Sequence, residues 1–205
     1  MVFGGTSGIG KSIVEIASSY NPSTFALSSS NGYDITSFSA VASAFAKIYK
    51  QCGSIDYIVN CAGILKLGTL QNRNIEDISK EIEVNYLGCI HIIKAALPYL
   101  FKNPNGASIA LFTSSSYTRG RALYSIYSST KAAIVNLGQA LSEELANTRI
   151  RVNIINPART HTPMRTTNFG KEPEESLLDP NEVAHITLST LVSNLNGQII
   201  DIRRK

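Results

Sequence analysis

Alternation is the feature that most constrains how this chain folds. Short apolar runs, too brief for helices, take turns with longer segments whose apolar residues recur every three or four positions. Met1-Val2-Phe3, Thr24-Phe25-Ala26-Leu27, Asp56-Tyr57-Ile58-Val59, residues 108–112, 150–155 and 198–202 read as strands. Residues 11–20, 37–49, 75–100, 127–146 and 180–191 read as helices, the second with Phe38, Val41, Phe45 and Ile48 on one stripe. Strands that alternate with helices predict an α/β fold, a mostly parallel sheet with helices on both faces. Ser108-Ile109-Ala110-Leu111-Phe112 is apolar enough to be a strand covered on both sides. Such sheets bind ligands beyond the carboxyl ends of their strands, and every unusual residue below falls at one of those ends.

Composition narrows the function classes. A chain of 205 residues with 43% hydrophobic and 17% charged residues is one globular domain, residues 1–205, rather than a disordered segment. The net charge is +4, but Lys and Arg are scattered, which favours a small anionic substrate over nucleic acid. Only Arg203-Arg204-Lys205 forms a run, read as a solvated terminus. Cys52, Cys61 and Cys89 form no C-x-x-C pair, so neither a disulfide framework nor a zinc site is expected, and a reducing cytoplasm is favoured. His91, His161 and His185 are too dispersed for a metal cluster. No run approaches the ~18 apolar residues of a membrane helix, and no signal peptide is visible, so no membrane partner is expected.

The first strand runs into Gly4-Gly5-Thr6-Ser7-Gly8-Ile9-Gly10 and then into an amphipathic helix. Glycine permits a tight turn and lets backbone N–H groups approach a pyrophosphate. The helix that follows aims its positive end at the same anion. The second strand ends in Ser28-Ser29-Ser30 rather than in an acid that would hold a ribose 2′-hydroxyl and repel a 2′-phosphate. With Lys11 nearby, this favours NADP(H) over NAD(H). Asp34 has two readings, a contact to an adenine amino group or a cap on the next helix.

Tyr127 and Lys131 are four apart at the start of a helix and share a face. A Lys ammonium beside a phenol favours phenolate, which predicts a lowered pKa and a usable proton donor or acceptor. Ser114 lies thirteen residues earlier, just past a strand end, where a hydroxyl can bond a substrate carbonyl. Asn85 sits mid-helix, where Asn is a poor helix former, so a task such as a water-mediated relay to the lysine is expected.

In order and spacing, Gly4-x-x-x-Gly8-x-Gly10, Asn60-Cys61-Ala62-Gly63, Asn85, Ser114 and Tyr127-x-x-x-Lys131 resemble the short-chain dehydrogenase/reductase family, and Asn156-Pro157 with Thr162 resembles its Pro-Gly-x-x-x-Thr segment. The resemblance covers essentially the whole chain. It implies a Rossmann-like doubly wound sheet of about seven strands. It also makes Tyr127 the general acid/base, with Lys131 lowering its pKa and binding the nicotinamide ribose. Ser114 would orient the carbonyl and Asn85 complete the proton relay. Asn60, Ala62 and Gly63 would support the sheet and cofactor, and Thr162 would contact the nicotinamide amide. Homodimers or homotetramers through the two long helices are implied as well. Four departures stand out. Phe3 replaces a usual Thr, Ala158 follows Pro157 where Gly is usual, and Asp34 comes so soon after the second strand that one family helix is missing. The first strand, about three residues, is short against the usual five or six, which suggests trimming before Met1.

The expected pocket is basic. Arg119 and Arg121 lie between Ser114 and Tyr127, and Arg159, His161, Arg165 and Lys171 populate residues 158–180, read as a substrate-covering loop. Arg suits bidentate binding of phosphate or carboxylate, so Arg119, Arg159 and Arg165 are the candidate substrate contacts. The strings around residues 156–165 and 197–203 resemble reductase domains found beside cytidylyltransferases of ribitol-phosphate polymer synthesis, which reduce ribulose 5-phosphate with NADPH. Two other readings stand beside a ketone/secondary-alcohol oxidoreductase. One is an epimerase- or dehydratase-type relative, for which the chain has little room. The other is an inactive nucleotide-binding regulatory or scaffold protein, against which the intact Ser114, Tyr127 and Lys131 argue and for which the short first strand argues.

Overall fold

A computed structural model describes residues 1–204. Six strands form one sheet: β1 (Val2–Phe3), β2 (Ala26–Leu27), β3 (Tyr57–Asn60), β4 (Ala107–Phe112), β5 (Ile150–Pro157) and β6 (Ile199–Ile202). All pairs are parallel and the order is β2-β1-β3-β4-β5-β6. The helices are α1 (Gly8–Tyr20), α2 (Phe38–Cys52), α3 (Ile75–Ile82), α4 (Gly88–Leu100), α5 (Ser125–Glu144), α6 (Pro163–Phe169) and α7 (Pro180–Val192).

Side chains along each strand alternate between two cores, as the pleat requires. Phe3, Ile58, Ile109 and Leu111 pack under α2, α4 and α5, whereas Val2, Val59, Ala110 and Phe112 pack under α1 and α7. Sheet burial on both faces explains why these strands read as continuous apolar runs. The chain leaves β1 toward β2 on one side and reaches β3 on the other, so the carboxyl end of β1 is a switch point where a crevice opens.

The sheet has six strands rather than about seven. Only ten residues separate Leu27 from Phe38, and they hold a single 3-10 turn at Ser29–Asn31. A parallel crossover needs about a dozen residues, so no further strand fits there. The missing segment therefore leaves β2 as the sheet edge. Other expectations shift more modestly. Phe38 leaves the α2 stripe and is 42% exposed, meeting His91 edge-on, while Val41, Phe45 and Ile48 are buried. Asp34 does not cap α2, because Ser37 does, accepting from the Ala40 N–H. The segment 158–180 is not bare loop but carries α6 and a 3-10 turn at Glu174–Ser176.

The basic run near the end is tied down rather than merely solvated. Arg203 donates to the Asn156 carbonyl and to Asp201, and Arg204 donates to the carbonyls of Glu174 and Leu177. Lys205 lies outside the described residues. Among those residues, no helix is long and apolar enough to cross a membrane, and no group of His, Cys, Asp and Glu could hold a metal ion.

Candidate active site

The crevice beyond β1 and β3 to β5 is a cleft of about 800 Å³. The glycine loop forms one wall. Gly4 has φ of 76°, and a Cβ there would lie 2.7 Å from the Ala62 N, so this loop and the 60–63 loop approach as closely as two backbones can. A Cβ on Gly10 would meet the Gly4 carbonyl oxygen at 2.2 Å, so α1 can start this near the strand end only with glycine there. Ser7 caps α1 without a side-chain bond, and the first-turn residues Gly8, Ile9 and Gly10 line the cleft with unshared N–H groups.

Most residues expected to hold the dinucleotide do line the cleft: Gly4, Ser7, Gly8, Ile9, Gly10, Ser28, Ser29, Asp34, Ala62, Gly63, Pro157 and Thr162. Gly5, Thr6 and Asn60 do not. A Cβ on Gly5 would meet the Val2 carbonyl oxygen and Val14, Thr6 shares a hydrogen bond with Ser30, and Asn60 turns inward to accept from the Ala62 N–H. Lys11 is also off the cleft, exposed and paired with Glu15 at 3.6 Å. The Asp34 carboxylate accepts from the Thr36 backbone and hydroxyl, which hold its pKa below the usual value. A narrow glycine wall, an uncapped helix start and a polar far end at Ser28 and Ser29 together fit an extended dinucleotide with a central diphosphate.

At the other end of the cleft, Ser114, Tyr127 and Lys131 converge. Ser114 lies just past β4, and its Oγ accepts from the backbone N–H and hydroxyl of Ser116 at 3.3 Å. Lys131 is buried on α5, its Nζ donating to the Phe112 carbonyl at 3.0 Å and lying 5.6 Å from the centre of the Tyr127 ring. The phenol is surrounded closely enough that desolvation pushes its pKa up to about 12. The Ser114 hydroxyl opposes that rise, while the Glu81 charge adds to it. The sequence predicts a lysine-lowered phenol. In the structure, burial wins instead, because the lysine faces a backbone carbonyl and burial lowers its own pKa as well.

Asn85 explains itself through backbone geometry. The helix is interrupted by a π turn at Glu83–Leu87, a local widening that recurs at functional sites. Asn85 sits in it, accepting from the Ile64 N–H at 2.8 Å and donating to the Ile64 carbonyl at 2.9 Å and to Thr130 Oγ1 at 3.3 Å. It therefore pins the start of the 64–73 loop. A Cβ on Gly63 would lie 3.3 Å from Asn85 Oδ1 and 3.4 Å from Lys131 Nζ, so both side chains close around that glycine.

The basic residues sort differently from their sequence order. Arg121, Arg159 and Arg165 line the cleft, whereas Arg119 is exposed and lies off it. Arg165 is bidentate to Glu172 at 2.5 and 2.8 Å, and Arg159 lies 3.7 Å from the same carboxylate. The Arg165 guanidinium also stacks over Phe169 at 3.8 Å. Phe169 meets Tyr124 edge-on, and Tyr124 meets Tyr127 in the same way. Sequence reasoning missed Tyr124, Phe169 and Glu172. The signals were Tyr124 three residues before Tyr127, at the start of α5, and Glu172 beside Lys171 as the first of three acids in residues 172–175. It also missed the buried Arg73–Glu81 pair at 2.5 Å, whose Arg73 Nε, Arg73 Nη2 and Glu81 Oε1 have no partner. Leu123, with φ of 70°, holds the chain in a left-handed turn just before α5, at a cost of roughly 1–3 kcal/mol.

Comparison with known proteins agrees with this geometry. The chain is 48% identical over 202 residues to the bifunctional ribulose 5-phosphate reductase/CDP-ribitol pyrophosphorylase Bcs1 of Haemophilus influenzae, covering 98% of this chain and 42% of that protein's length. It is 32% identical over 173 residues to an uncharacterized oxidoreductase of Staphylococcus epidermidis, covering 83% and 74% of the two chains. The fold matches the aldohexose dehydrogenase of Thermoplasma acidophilum with a TM-score of 0.85 at 23% identity, over 98% of this chain and 90% of that one. The family pattern described as short chain dehydrogenase matches residues 26–173. The chain therefore belongs to the short-chain dehydrogenase/reductase family, oxidoreductases that interconvert a carbonyl and an alcohol with a nicotinamide cofactor.

Proposed function

We propose that the chain is an NADP(H)-preferring reductase of a small phosphorylated ketose, with ribulose 5-phosphate as the substrate of choice. The observation that carries this reading is one cleft lined by Ser114, Tyr127 and Lys131 together with Arg121, Arg159 and Arg165, the last joined to Tyr127 through Phe169 and Tyr124. The similarity to Bcs1 over nearly the whole chain supports the same substrate. The small-molecule partner is anionic, assembly is as a homodimer or homotetramer through α3, α4 and α5, and the location is cytoplasmic. Exposed Ile75, Ile82 and Leu87 on the first of these helices and the π turn support that assembly face.

In this reading Ser114 donates a hydrogen bond to the ketone oxygen and Tyr127 delivers a proton to it as it becomes an alcohol. Lys131, held on the Phe112 carbonyl 5.6 Å from the Tyr127 ring, would hold the nicotinamide ribose of the cofactor. Asn85, through Ile64, holds the loop that closes the cleft beside them. When bound along the glycine loop, a reduced nicotinamide would supply a hydride, and this chain's residues would orient the ketone and donate the proton. Single-domain oxidation of NADPH against NADH, across a panel of sugar phosphates and plain ketones, tests the whole assignment. Turnover of neutral ketones alone would remove the sugar-phosphate part of it.

Two further outcomes are expected. A phenol held near pKa 12 is already protonated at neutral pH, so it needs no acid to work as a proton donor. The kcat/KM for reduction should stay flat between roughly pH 6 and 9, whereas that for alcohol oxidation should rise about tenfold per unit as phenolate forms. A reduction profile that falls through pH 7 to 8 would contradict this. At the cofactor's far end, Ser29 is exposed at the cleft rim. Ser29→Asp should weaken NADPH about tenfold or more while sparing NADH, because the carboxylate repels a 2′-phosphate and accepts a 2′-hydroxyl. Tighter binding of NADH than NADPH by the unaltered protein would reverse the stated preference.

A further inference from the structure

Of the cations at the reacting end of the cleft, the best placed is already engaged. Arg165 presents its planar fork to Glu172 in the two-point geometry that guanidinium also offers a phosphate. Arg159 reaches the same carboxylate oxygen only at 3.7 Å and its side chain is 63% exposed, so its guanidinium is held by water more than by Glu172 and has donors to offer a second anion. A phosphate dianion carries more charge and a third oxygen, and it can take both. All three residues line the cleft that holds Tyr127, and the stack from Arg165 through Phe169 and Tyr124 ends on Tyr127 itself.

Resting on the phosphorylated-ketose reading above, we propose that Glu172 is a specificity-determining residue: it occupies the anion site of Arg165 and Arg159 and gives it up to the phosphate of the substrate. Arg165 holds the Glu172 carboxyl below the usual range, so the acid stays charged and competes at any working pH. The contest sets selectivity. A phosphorylated ketose displaces Glu172 and gains both arginines, whereas a neutral ketose leaves the pair closed and gains nothing from it. The pair also braces the segment, with Arg204 fixing the carbonyls of Glu174 and Leu177 two and five residues beyond Glu172. Release of Glu172 therefore moves a side chain and not the whole segment.

The test is Glu172→Gln, which keeps shape and removes the competing charge. The KM for ribulose 5-phosphate and the competitive inhibition constant of inorganic phosphate should both fall about tenfold, the worth of one charge-assisted hydrogen bond at a partly exposed pair. The KM values for unphosphorylated ribulose and for NADPH should not move. Unchanged or weaker phosphate binding would make the pair a brace only and overturn the proposal. A matching fall in the NADPH KM would place the exchanged phosphate on the cofactor and overturn the substrate assignment. If the unaltered protein turns over no sugar phosphate, calorimetry with inorganic phosphate still decides. Tighter binding by Glu172→Gln would then uphold the exchange while the ribulose 5-phosphate reading falls, and equal binding would remove the exchange too.

Discussion

Tyr127→Phe should remove turnover while leaving the fold and the cofactor site intact. The substitution deletes one hydroxyl and keeps the ring, so the edge contact to Tyr124 and the approach of Lys131 Nζ are preserved. What is lost is the transferable proton. General acid catalysis contributes ~10²–10⁴-fold, and kcat should fall by that range with the KM for cofactor nearly unchanged. The hydroxyl lies at the wall of an open cleft beside Ser114, so its loss should leave the thermal midpoint nearly unchanged. Single-turnover rates under saturating NADPH, with cofactor binding followed by nucleotide fluorescence, make the check. Retention of more than about a tenth of kcat would dismiss Tyr127 as the proton donor.

Arg165→Ala should raise the KM for a phosphorylated ketose far more than for its neutral counterpart. The side chain has two jobs, a charged fork toward Glu172 and a flat cover on Phe169. Loss of the cover loosens the stack toward Tyr127 and affects both substrates alike. Loss of the fork affects only the anion and leaves Glu172 facing it without a counter-ion except Arg159. A charge-assisted hydrogen bond is worth roughly 1.5–3 kcal/mol, so the kcat/KM ratio between phosphorylated and neutral substrates should drop ~10- to 150-fold. Arg165→Lys keeps the charge without the fork and should fall between the two. Equal losses on both substrates would mean that Arg165 only shapes the cover of the cleft.

Local pattern was enough for much of this. Period-two and period-3.6 hydrophobicity are short-range properties, and they located all six strands and the long helices within a few residues. The glycine loop, Asn85, Ser114 and the Tyr127–Lys131 pair were equally legible, because each combines a backbone demand or a fixed helical spacing with an unusual residue type. Tertiary structure decided the remainder. It ended the sheet at β2, since ten residues leave no room for another crossover. It took Arg119 off the cleft and kept Arg121, a choice set by how the 114–127 segment folds back rather than by residue type. It turned the expected lysine-lowered phenol into one raised by burial, since desolvation depends on every neighbour in space. It also brought Glu172 against Arg165, seven residues away along a segment whose turns no periodicity announces. Sequence determines which groups are available and which surfaces must be buried. Which charges meet, and in what dielectric, follows only once the buried surfaces have closed on one another.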